Sequence, residues 1–462
     1  MKQTITDSTV DQDILAYTVG EDPVLDRALV KWDCMGTAAH VTMLSEMKGL
    51  KKPVVTKPEA ARVRRELGRL VKSLGRKDCT FEIRQDDQDV HMAVERVLTE
   101  KLGDLGKKIH TGRSRNDQVA VDVRLHMKDE ILATELELAR LAAELCSFGH
   151  DVGPVPLVGR THLQPAMPST VEMWATGHAE MILDQLAQFE AAYQMADANP
   201  LGSAAGYGVP LPLDRRRTTK LLGFSRTLHN CFGASMARGE CEAALLSALA
   251  QLMCVLSRFA EDLILFSMPE FAYFKLPREY CTGSSIMPQK FNPDVLELVR
   301  GKTAQVVGWQ TAALTLLHAM PGGYNRDLQD AKLLYMKGLE TTRTTLRILA
   351  KVTAGVKVNA AACRAAFTPG VFATDVALQM VAKGAPWRDA YHDVRDQFAA
   401  LYDGKPSEVA NLDPDRQVAL KTHEGTCLGI DHDLYRRRIS AAVESAEARR
   451  AALAKCCEAL LR

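Results

Sequence analysis

Apolar residues recur along most of this chain with the spacing of an α-helix. The clearest pattern steps alternately by four and three residues over three heptads: Leu245, Leu249, Leu252, Leu256, Phe259, Leu263 and Phe266. Such an a/d seam packs against one or more neighbouring helices. No proline occurs between Asp214 and Met268, so we expect one long unbroken helix over the second half of that stretch.

A second long helix is predicted to begin at Asn292-Pro293-Asp294. Asparagine suits the N-cap, proline suits the first helical position, and an early acidic residue complements the helix dipole. Apolar residues then follow at helical spacing toward Met320: Val295, Leu298, Val299, Val306, Trp309, Ala313 and Leu317. We therefore expect this helix to end close to Met320.

Three further helices are predicted at residues 128–148, 171–196 and 330–353. Five long helices without alternating strand patterns predict an all-α fold, a bundle of long helices. The segments between them are rich in glycine, proline and polar residues and are predicted loops, where functional residues commonly lie: 107–117, 158–169, 199–214, 278–292 and 321–329. We place domain boundaries near residues 110 and 360, which gives an N-terminal helical domain (1–110), a central bundle (111–360) and a C-terminal helical domain (361–462).

Composition narrows the protein class. The 462 residues are 47% hydrophobic and 25% charged, which excludes a disordered chain, a collagen-like fibre and a small disulfide scaffold. Lys+Arg 58 against Asp+Glu 57 leaves no excess positive charge for nucleic acid or an anionic membrane. We therefore expect neither as a partner.

Cysteine usage and the N-terminus predict a cytoplasmic protein. The eleven cysteines are scattered and contain no CxxC pair, so we expect free thiols in a reducing compartment rather than a zinc ribbon or a redox motif. The first thirteen residues are polar and acidic, unlike a signal peptide. No uninterrupted apolar run reaches the roughly 18 residues that span a bilayer.

Two of the predicted loops have polar sequences of limited specificity. KKIHTGRSRNDQ, residues 107–118, concentrates hydrogen-bond donors that suit carboxylate recognition, but a solvated polar loop fits equally well. GRTHLQP, residues 159–165, contains one histidine, and a lone histidine is more often structural than catalytic.

The loop CTGSSIMPQKFNP, residues 281–293, is more specific. It places glycine, two serines, a lysine and an asparagine immediately before a helix start. Hydroxyls, a cation and a helix N-terminus together can stabilise a developing anion. A loop with a purely structural role does not require this combination.

GSSIMPQKFNPD resembles the signature of the fumarate-eliminating lyase superfamily, which includes fumarase, aspartase, adenylosuccinate lyase and argininosuccinate lyase. Within the superfamily, the chain is most similar to the argininosuccinate lyases. Four further segments carry this resemblance: KIHTGRSRNDQ, GRTHLQPAMPS, NPLGSAAGYG and YNRDLQ. They occur in the family's order, and the match runs from about Tyr17 to the C-terminal region.

The resemblance implies the fumarase/aspartase type of helical bundle and the reversible β-elimination of argininosuccinate to arginine and fumarate, a step of arginine biosynthesis. Ser284 matches the family's catalytic base, and His162 matches the general acid or a member of a proton relay. Lys290 and Asn292 match residues that bind the carboxylate of the aci-carboxylate intermediate. Electrostatic stabilisation of that intermediate is expected to be the largest catalytic contribution.

The resemblance also implies the remaining site residues and the assembly. The substrate-binding positions are Asp26, Ser114, Arg115, Asn116, Thr161, Tyr324, Gln329 and Lys332. No metal or organic cofactor is expected, and the chain contains no HExxH motif. A homotetramer is expected, with each active site built from three chains; the apolar seam between Leu245 and Phe266 is predicted to support it by exposing more apolar surface than one chain covers.

Four residues depart from the family's usual pattern: Asp22, Gln88, Arg160 and Phe291. They stand where serine, glutamate, tyrosine and a second lysine are common. Asp22 and Arg160 keep open a related lyase that acts on another N-substituted aspartate. A catalytically idle structural protein, like the eye-lens crystallins of this family, is a further alternative, although it would not need Ser284 or His162.

Overall fold

The computed structural model describes residues 11–403 and 412–462, and α-helices dominate it. The first nine helices are α1 Gln12–Val19, α2 Asp22–Leu25, α3 Val30–Glu46, α4 Lys57–Ser73, α5 Val90–Leu102, α6 Arg115–Val152, α7 Val171–Asp184, α8 Leu186–Ala196 and α9 Arg215–Leu222. The next nine are α10 Cys231–Met236, α11 Glu240–Ser267, α12 Asp294–Leu317, α13 Asp330–Gly355, α14 Ala360–Ala365, α15 Ala373–Ala382, α16 Trp387–Tyr402, α17 Pro414–Ala419 and α18 His432–Leu460.

Short strands form two-stranded pairs between these helices. The longest pair is the antiparallel hairpin of β1 Pro156–Thr161 and β2 Gln164–Thr170. The others are two residues per strand: β3 Ala198–Asn199 with β4 Arg226–Thr227, β5 Phe274–Lys275 with β8 Lys357–Val358, and β6 Thr282–Gly283 with β7 Phe291–Asn292. The all-α prediction is therefore confirmed for the bundle, and the small strands shape the loops that leave it.

Helix α11 lies at the centre of the bundle and packs against α7, α8, α12 and α13. All seven predicted seam residues are buried, from Leu245 at 0% exposed to Phe266 at 9%. The seam is therefore covered by helices of the same chain, and the prediction that it exposes apolar surface for other chains is wrong. The heptad pattern cannot distinguish a neighbouring helix of the same chain from one of another chain.

The predicted helices are found with altered ends. Residues 128–148 lie inside the longer α6, which begins at Arg115 because Ser114 caps it: the Ser114 side chain accepts the Asn116 N–H, and Asp117 accepts the Ser114 N–H at 2.9 Å. The predicted helix over 171–196 divides at Gln185 into α7 and α8. Helix α12 begins at Asp294, one residue later than expected, because Asn292 pairs in β7 and Pro293 is the N-cap.

The segment predicted as a loop at 158–169 is mostly the β1–β2 hairpin. Its alternation is hidden because two prolines and a glycine interrupt it: Gly159, Pro165 and Pro168. A shift of register between Gly159 and Arg160 accommodates the irregularity. Thr161 and His162, which were expected on a loop, therefore lie on a tight hairpin.

The main core joins distant parts of the chain. It includes buried residues from Leu29 in the N-terminal segment to Leu461 after α18. The Arg64 side chain donates to the Leu460 carbonyl oxygen at 2.7 Å, which holds α4 against the C-terminal end. A separate small apolar cluster of Ala377, Ala390 and Val394 packs α15 on α16. The domain boundaries at residues 110 and 360 stay predictions.

Among the described helices, α11 is the one long and apolar enough to cross a membrane. Its most apolar window is 67% buried inside the structure, which is typical of a core helix. All eleven cysteines are free, as expected from their spacing.

Candidate functional site

The first group of predicted site residues lines a polar cavity where α6, α13 and the N-terminal segment meet. The cavity contains five predicted positions: Arg115, Asn116, Tyr324, Gln329 and Lys332. Further lining side chains are Val19, Asp22, Gln88, Asp89, Val119, Arg238 and Arg326. The first residues of α6 and the first turn of α13 therefore face one another across this cavity.

Lys332 is held in the cavity wall by two carboxylates. Its Nζ lies 2.5 Å from Asp26 Oδ1 and 2.9 Å from Asp22 Oδ1, and its side chain is 3% exposed. Burial alone would lower the pKa of Lys332, but the charges of Asp26 and Asp22 raise it above its ordinary value. Lys332 is therefore a permanent cation.

The two aspartates differ in position. Asp26 is 1% exposed, lies behind Lys332 and accepts the Val90 N–H at 3.1 Å. Asp22 lines the cavity, and burial raises its pKa while Lys332 opposes the rise. Asp26 therefore holds Lys332 in place rather than facing the cavity, whereas Asp22 is the one of the two aspartates that faces the cavity.

Arg115 is anchored through Asp89. Its Nε donates to Asp89 Oδ2 at 2.7 Å, and Nη1 donates to Gln88 Oε1 at 3.3 Å. Burial favours the neutral form of Asp89, but His91 and Arg115 lower its pKa below the ordinary value. Because residue 88 is a neutral glutamine, Arg115 pairs with one carboxylate here and keeps capacity for an anionic ligand.

Arg238 is a cavity residue that the sequence did not reveal. Its guanidinium lies 4.9 Å from the centre of the Tyr324 ring, and the residue is 6% exposed. Its one sequence signal is its place immediately before Gly239 and the start of α11. Across the cavity, Gln329 donates to the Thr18 carbonyl oxygen at 3.1 Å and accepts from Arg326 at 3.2 Å.

Cations outnumber carboxylates along this cavity. Arg115, Arg238, Arg326 and Lys332 face two acids, Asp22 and Asp89. An excess of positive charge along a cavity favours an anionic ligand, and guanidinium groups suit carboxylates in particular. The cavity can therefore bind a molecule with carboxylate groups.

His162 lies at the tip of the β1–β2 hairpin in a strained turn. Thr161 pairs with Gln164, so His162 and Leu163 alone form the turn, with φ of 54° and 62°. Such two-residue turns require positive φ at both positions and favour Asn-Gly. Side chains larger than glycine cost about 1–3 kcal/mol each in this conformation, and here they project an exposed histidine.

Arg160 contacts the turn and the loop after α11. Its Nη1 donates to the Leu163 carbonyl oxygen at 3.2 Å, and its Nη2 donates to Tyr273 Oη at 3.4 Å. The guanidinium also lies 4.8 Å from the centre of the Phe271 ring. Arg160 thus ties the strained tip to the packed aromatic residues below it.

The third group lies on an exposed loop closed by the β6–β7 pair. Ser284 Oγ accepts the N–H groups of Ile286 at 3.3 Å and Met287 at 3.0 Å. Two donated hydrogen bonds favour negative charge on that oxygen. Lys290 is exposed near the same loop, and its N–H donates to the Met287 carbonyl oxygen at 3.1 Å.

The residues around Ser284 are arranged by the loop ends. Asn292 pairs with Thr282 in the short ladder, and the Thr282 hydroxyl donates to the carboxylate of Asp294 at the start of α12. Phe291 lies under the guanidinium of Arg278, 4.3 Å from its ring centre. Phe291 therefore has a packing partner where the family usually has a lysine.

One chain thus brings together part of the predicted site. The cavity contains Arg115, Asn116, Tyr324, Gln329 and Lys332, with Asp26 behind them. Ser114 caps α6 beside it. The residues that do not line this cavity are on the hairpin and on the exposed loop: Thr161, His162, Ser284, Lys290 and Asn292.

A buried group beside the cavity has the donor types of a metal site. Asp33, His91 and Asp122 each present a ligand atom within 4.8 Å of the others, and His91 Nδ1 lies 2.6 Å from Asp33 Oδ2. Burial raises the pKa of Asp122 well above its usual range, and Asp33 adds to the rise. The three side chains form a buried acid–imidazole network in the wall.

Comparisons with known proteins identify the family of this chain. Residues 33–308 match the family described as Lyase. The chain is 38% identical to the argininosuccinate lyase of Thermotoga neapolitana over 84% of this chain and 96% of that protein. It is 40% identical to the argininosuccinate lyase of Sorangium cellulosum over 85% of this chain and 89% of that protein.

Solved structures show the same fold at lower identity. A structure of EDDS lyase in complex with formate has a TM-score of 0.79 at 22% identity and covers 99% of this chain and 95% of that chain. A class II fumarase from Schistosoma mansoni has a TM-score of 0.69 at 15% identity over 94% of each chain. With these matches across most of its length, the chain belongs to the argininosuccinate lyase family.

Proposed function

We propose that this chain is a carbon–nitrogen lyase that converts argininosuccinate reversibly to arginine and fumarate, as its relatives' names indicate. The main structural support for this reaction is that two backbone N–H groups donate hydrogen bonds to Ser284 Oγ. A serine can act as a base when its surroundings favour the alkoxide. The same loop also carries a cation, Lys290, six residues further along the chain.

The reaction removes a weakly acidic proton from the carbon next to a carboxylate. Ser284 takes that proton, and the aci-carboxylate that forms carries extra charge on its oxygens. Lys290 and Asn292 stabilise this charge, and electrostatic stabilisation of this kind is usually the largest catalytic term. The C–N bond then breaks as His162, acting as the acid or through a relay, supplies a proton to the departing guanidinium.

The cavity supplies binding and orientation. Ser114, Asn116 and Thr161 bind substrate carboxylate, while Arg115, Tyr324, Gln329 and Lys332 bind the arginine or fumarate portion. Asp26 acts through Lys332, because its carboxylate is 2.5 Å from Nζ and sits behind it. The protein's own groups provide both proton transfer and charge stabilisation, so the proposed reaction uses no cofactor.

We also propose a homotetramer in which each site combines loops from three chains. Within one chain, Ser284 and His162 lie on exposed segments outside the cavity. Helix α12 leaves three large apolar side chains exposed: Leu298 at 59%, Val307 at 36% and Leu314 at 49%. Large apolar side chains exposed to solvent along one long helix support packing against other copies.

The cell compartment that fits this enzyme is the cytoplasm. All eleven cysteines are free, which is typical of a reducing compartment.

A second candidate is a related lyase acting on another N-substituted aspartate. The observation behind it is Asp22, whose carboxylate lies in the cavity 2.9 Å from Lys332 Nζ and weakens the pull of that lysine on a substrate carboxylate. Running the reaction in reverse with fumarate and a panel of amines, followed by fumarate absorbance, separates the two. If fumarate is consumed with arginine and with no other amine of the panel, the result supports the first candidate.

Replacing Ser284 by alanine should abolish the formation of fumarate from argininosuccinate while the helical fold and oligomer stay intact. The hydroxyl lies in an exposed loop, so its loss should affect packing little. Ser285→Ala removes the adjacent hydroxyl and is the matched control, which should retain most activity. If Ser284→Ala keeps activity within about tenfold, roughly 1.4 kcal/mol of barrier, Ser284 is not the base.

Mixing two inactive variants tests the shared site. Ser284→Ala and His162→Asn are unfolded together and reassembled at equal ratio. If the two residues of a site come from different chains, about 1/2 × 1/2, or roughly a quarter, of sites recover both native residues. Each variant refolded alone is the control. Absence of recovery in correctly assembled tetramers would contradict sites shared between chains.

Replacing Arg160 by methionine should lower kcat about tenfold, roughly 1.4 kcal/mol, with a smaller change in KM. Methionine keeps much of the apolar contact with Phe271 but loses the hydrogen bond to Leu163, so the turn that projects His162 loosens. Arg140→Met, which alters an exposed arginine on α6, is the control. An unchanged kcat for Arg160→Met would show that the turn holds His162 without this arginine.

Activity should be unchanged after treatment with EDTA and dialysis, because every proposed step uses side chains of the protein. The measurement is the forward rate before and after treatment, with and without added Mg²⁺ or Zn²⁺. Loss of activity that a divalent ion restores would contradict the proposal.

A further inference from the structure

Three side chains with metal-binding donors meet at one end of the bundle, at the opposite end of α6 from the residues that line the cavity. His150 is in the last turn of α6, Glu172 in the first turn of α7 and His432 at the start of α18. Their ligand atoms all lie within 4.8 Å of one another. His432 Nε2 is already 2.9 Å from Glu172 Oε1, and the two imidazole rings are 5.0 Å apart.

The helices that carry these residues are held close together. A Cβ on Gly149 would lie 3.3 Å from the Glu172 Cα and from Ala175 Cβ, so the absence of a side chain lets α6 approach α7. The Tyr435 hydroxyl donates to Glu180 at 3.2 Å and Arg438 pairs with Asp184 at 2.7 Å, which fixes α18 against α7. The three donors are therefore placed by rigid helices.

The three side chains differ in solvent exposure, and one side of the group is open to solvent. The Glu172 side chain is 10% exposed and that of His432 is 37% exposed, while His150 is exposed. A metal ion could reach the group from solvent and keep water as a further ligand. The carboxylate lies at the inner side, where it offsets the ion's charge.

We propose that His150, Glu172 and His432 bind a divalent transition metal ion, Zn²⁺ in particular. Two imidazoles and one carboxylate are a common zinc donor set, whereas Mg²⁺ and Ca²⁺ prefer all-oxygen ligands. Ligands about 2.1 Å from a tetrahedral zinc lie about 3.4 Å apart. The 2.9 Å between His432 Nε2 and Glu172 Oε1 and the upper limit of 4.8 Å on the other separations lie on either side of that value.

A bound ion would join the C-terminal helix α18 to the central bundle. The ion connects α18 to α6 and α7, so it stabilises the docking of α18 against them. An ion that binds only the folded state stabilises it by RT ln(1 + [Zn²⁺]/Kd), so the gain grows with the logarithm of the free zinc concentration once this exceeds Kd. This role is independent of the lyase reaction, which the metal does not enter.

The test measures zinc binding and zinc-dependent stability of the full chain after EDTA treatment and dialysis. Calorimetric titration with Zn²⁺ and thermal unfolding are compared for the wild type, His150→Ala/His432→Ala, and His392→Ala, an exposed histidine on α16 that serves as the control. The wild type and control should bind one Zn²⁺ per chain at this site and gain Tm with zinc. The double variant should lose both, and Mg²⁺ should have no such effect.

The zinc-induced increment in Tm is compared rather than Tm itself, because the double variant also loses the His432–Glu172 ion pair. His150→Ala alone keeps that pair and removes an exposed side chain, so it provides a folded variant whose zinc affinity should fall at least tenfold. An equal zinc increment in wild type and double variant would overturn the site, as would absence of saturable zinc binding in the wild type. Neither readout depends on enzymatic activity.

Discussion

The burial of helix α11 is the constraint on which the rest of the bundle depends. Its seven large apolar side chains face other helices of the same chain, and none is more than 9% exposed. Burying each such side chain contributes about 1.5–3 kcal/mol. Because α12 and α13 must cover this seam, the loops that precede them emerge at fixed positions, and those loops carry Ser284 and Gln329.

A buried ion pair then positions the polar cavity against that core. Lys332, in the first turn of α13, is held by Asp26, which also accepts the Val90 N–H at the start of α5. Removing one partner of such a pair typically costs about 3–5 kcal/mol because it leaves an uncompensated buried charge. The same contact that aims a cation into the cavity therefore also joins the N-terminal segment to the bundle.

Strain and exposure mark the two groups that lie outside the cavity. His162 and Leu163 take left-handed backbone conformations in a two-residue turn, and Arg160 contacts that turn with one end of its guanidinium. Ser284 accepts two N–H groups of its own loop. Local contacts therefore hold both groups in place, which is what the proposed assembly needs if they are to complete a site in another chain.

The sequence by itself determined the helical class, the central helix and the order of the signature segments. Apolar spacing reports a local period, and α11 and α13 followed it closely. Motif resemblance predicts the positions of the site residues, because long segments such as GSSIMPQKFNPD are specific. The apolar pattern does not predict the hairpin at 156–170, because glycine and prolines interrupt its alternation. It does not predict the break at Gln185 either, because no glycine or proline marks that position.

Only the tertiary structure decided which residues meet and what covers each face. The fold places Arg238 in the cavity wall and Asp26 behind Lys332, because it brings together segments hundreds of residues apart. The heptad seam proved to be internal, whereas α12 leaves Leu298, Val307 and Leu314 exposed. A hydrophobic pattern states that a surface must be buried, but the partner that buries it is chosen by the packing of the whole chain.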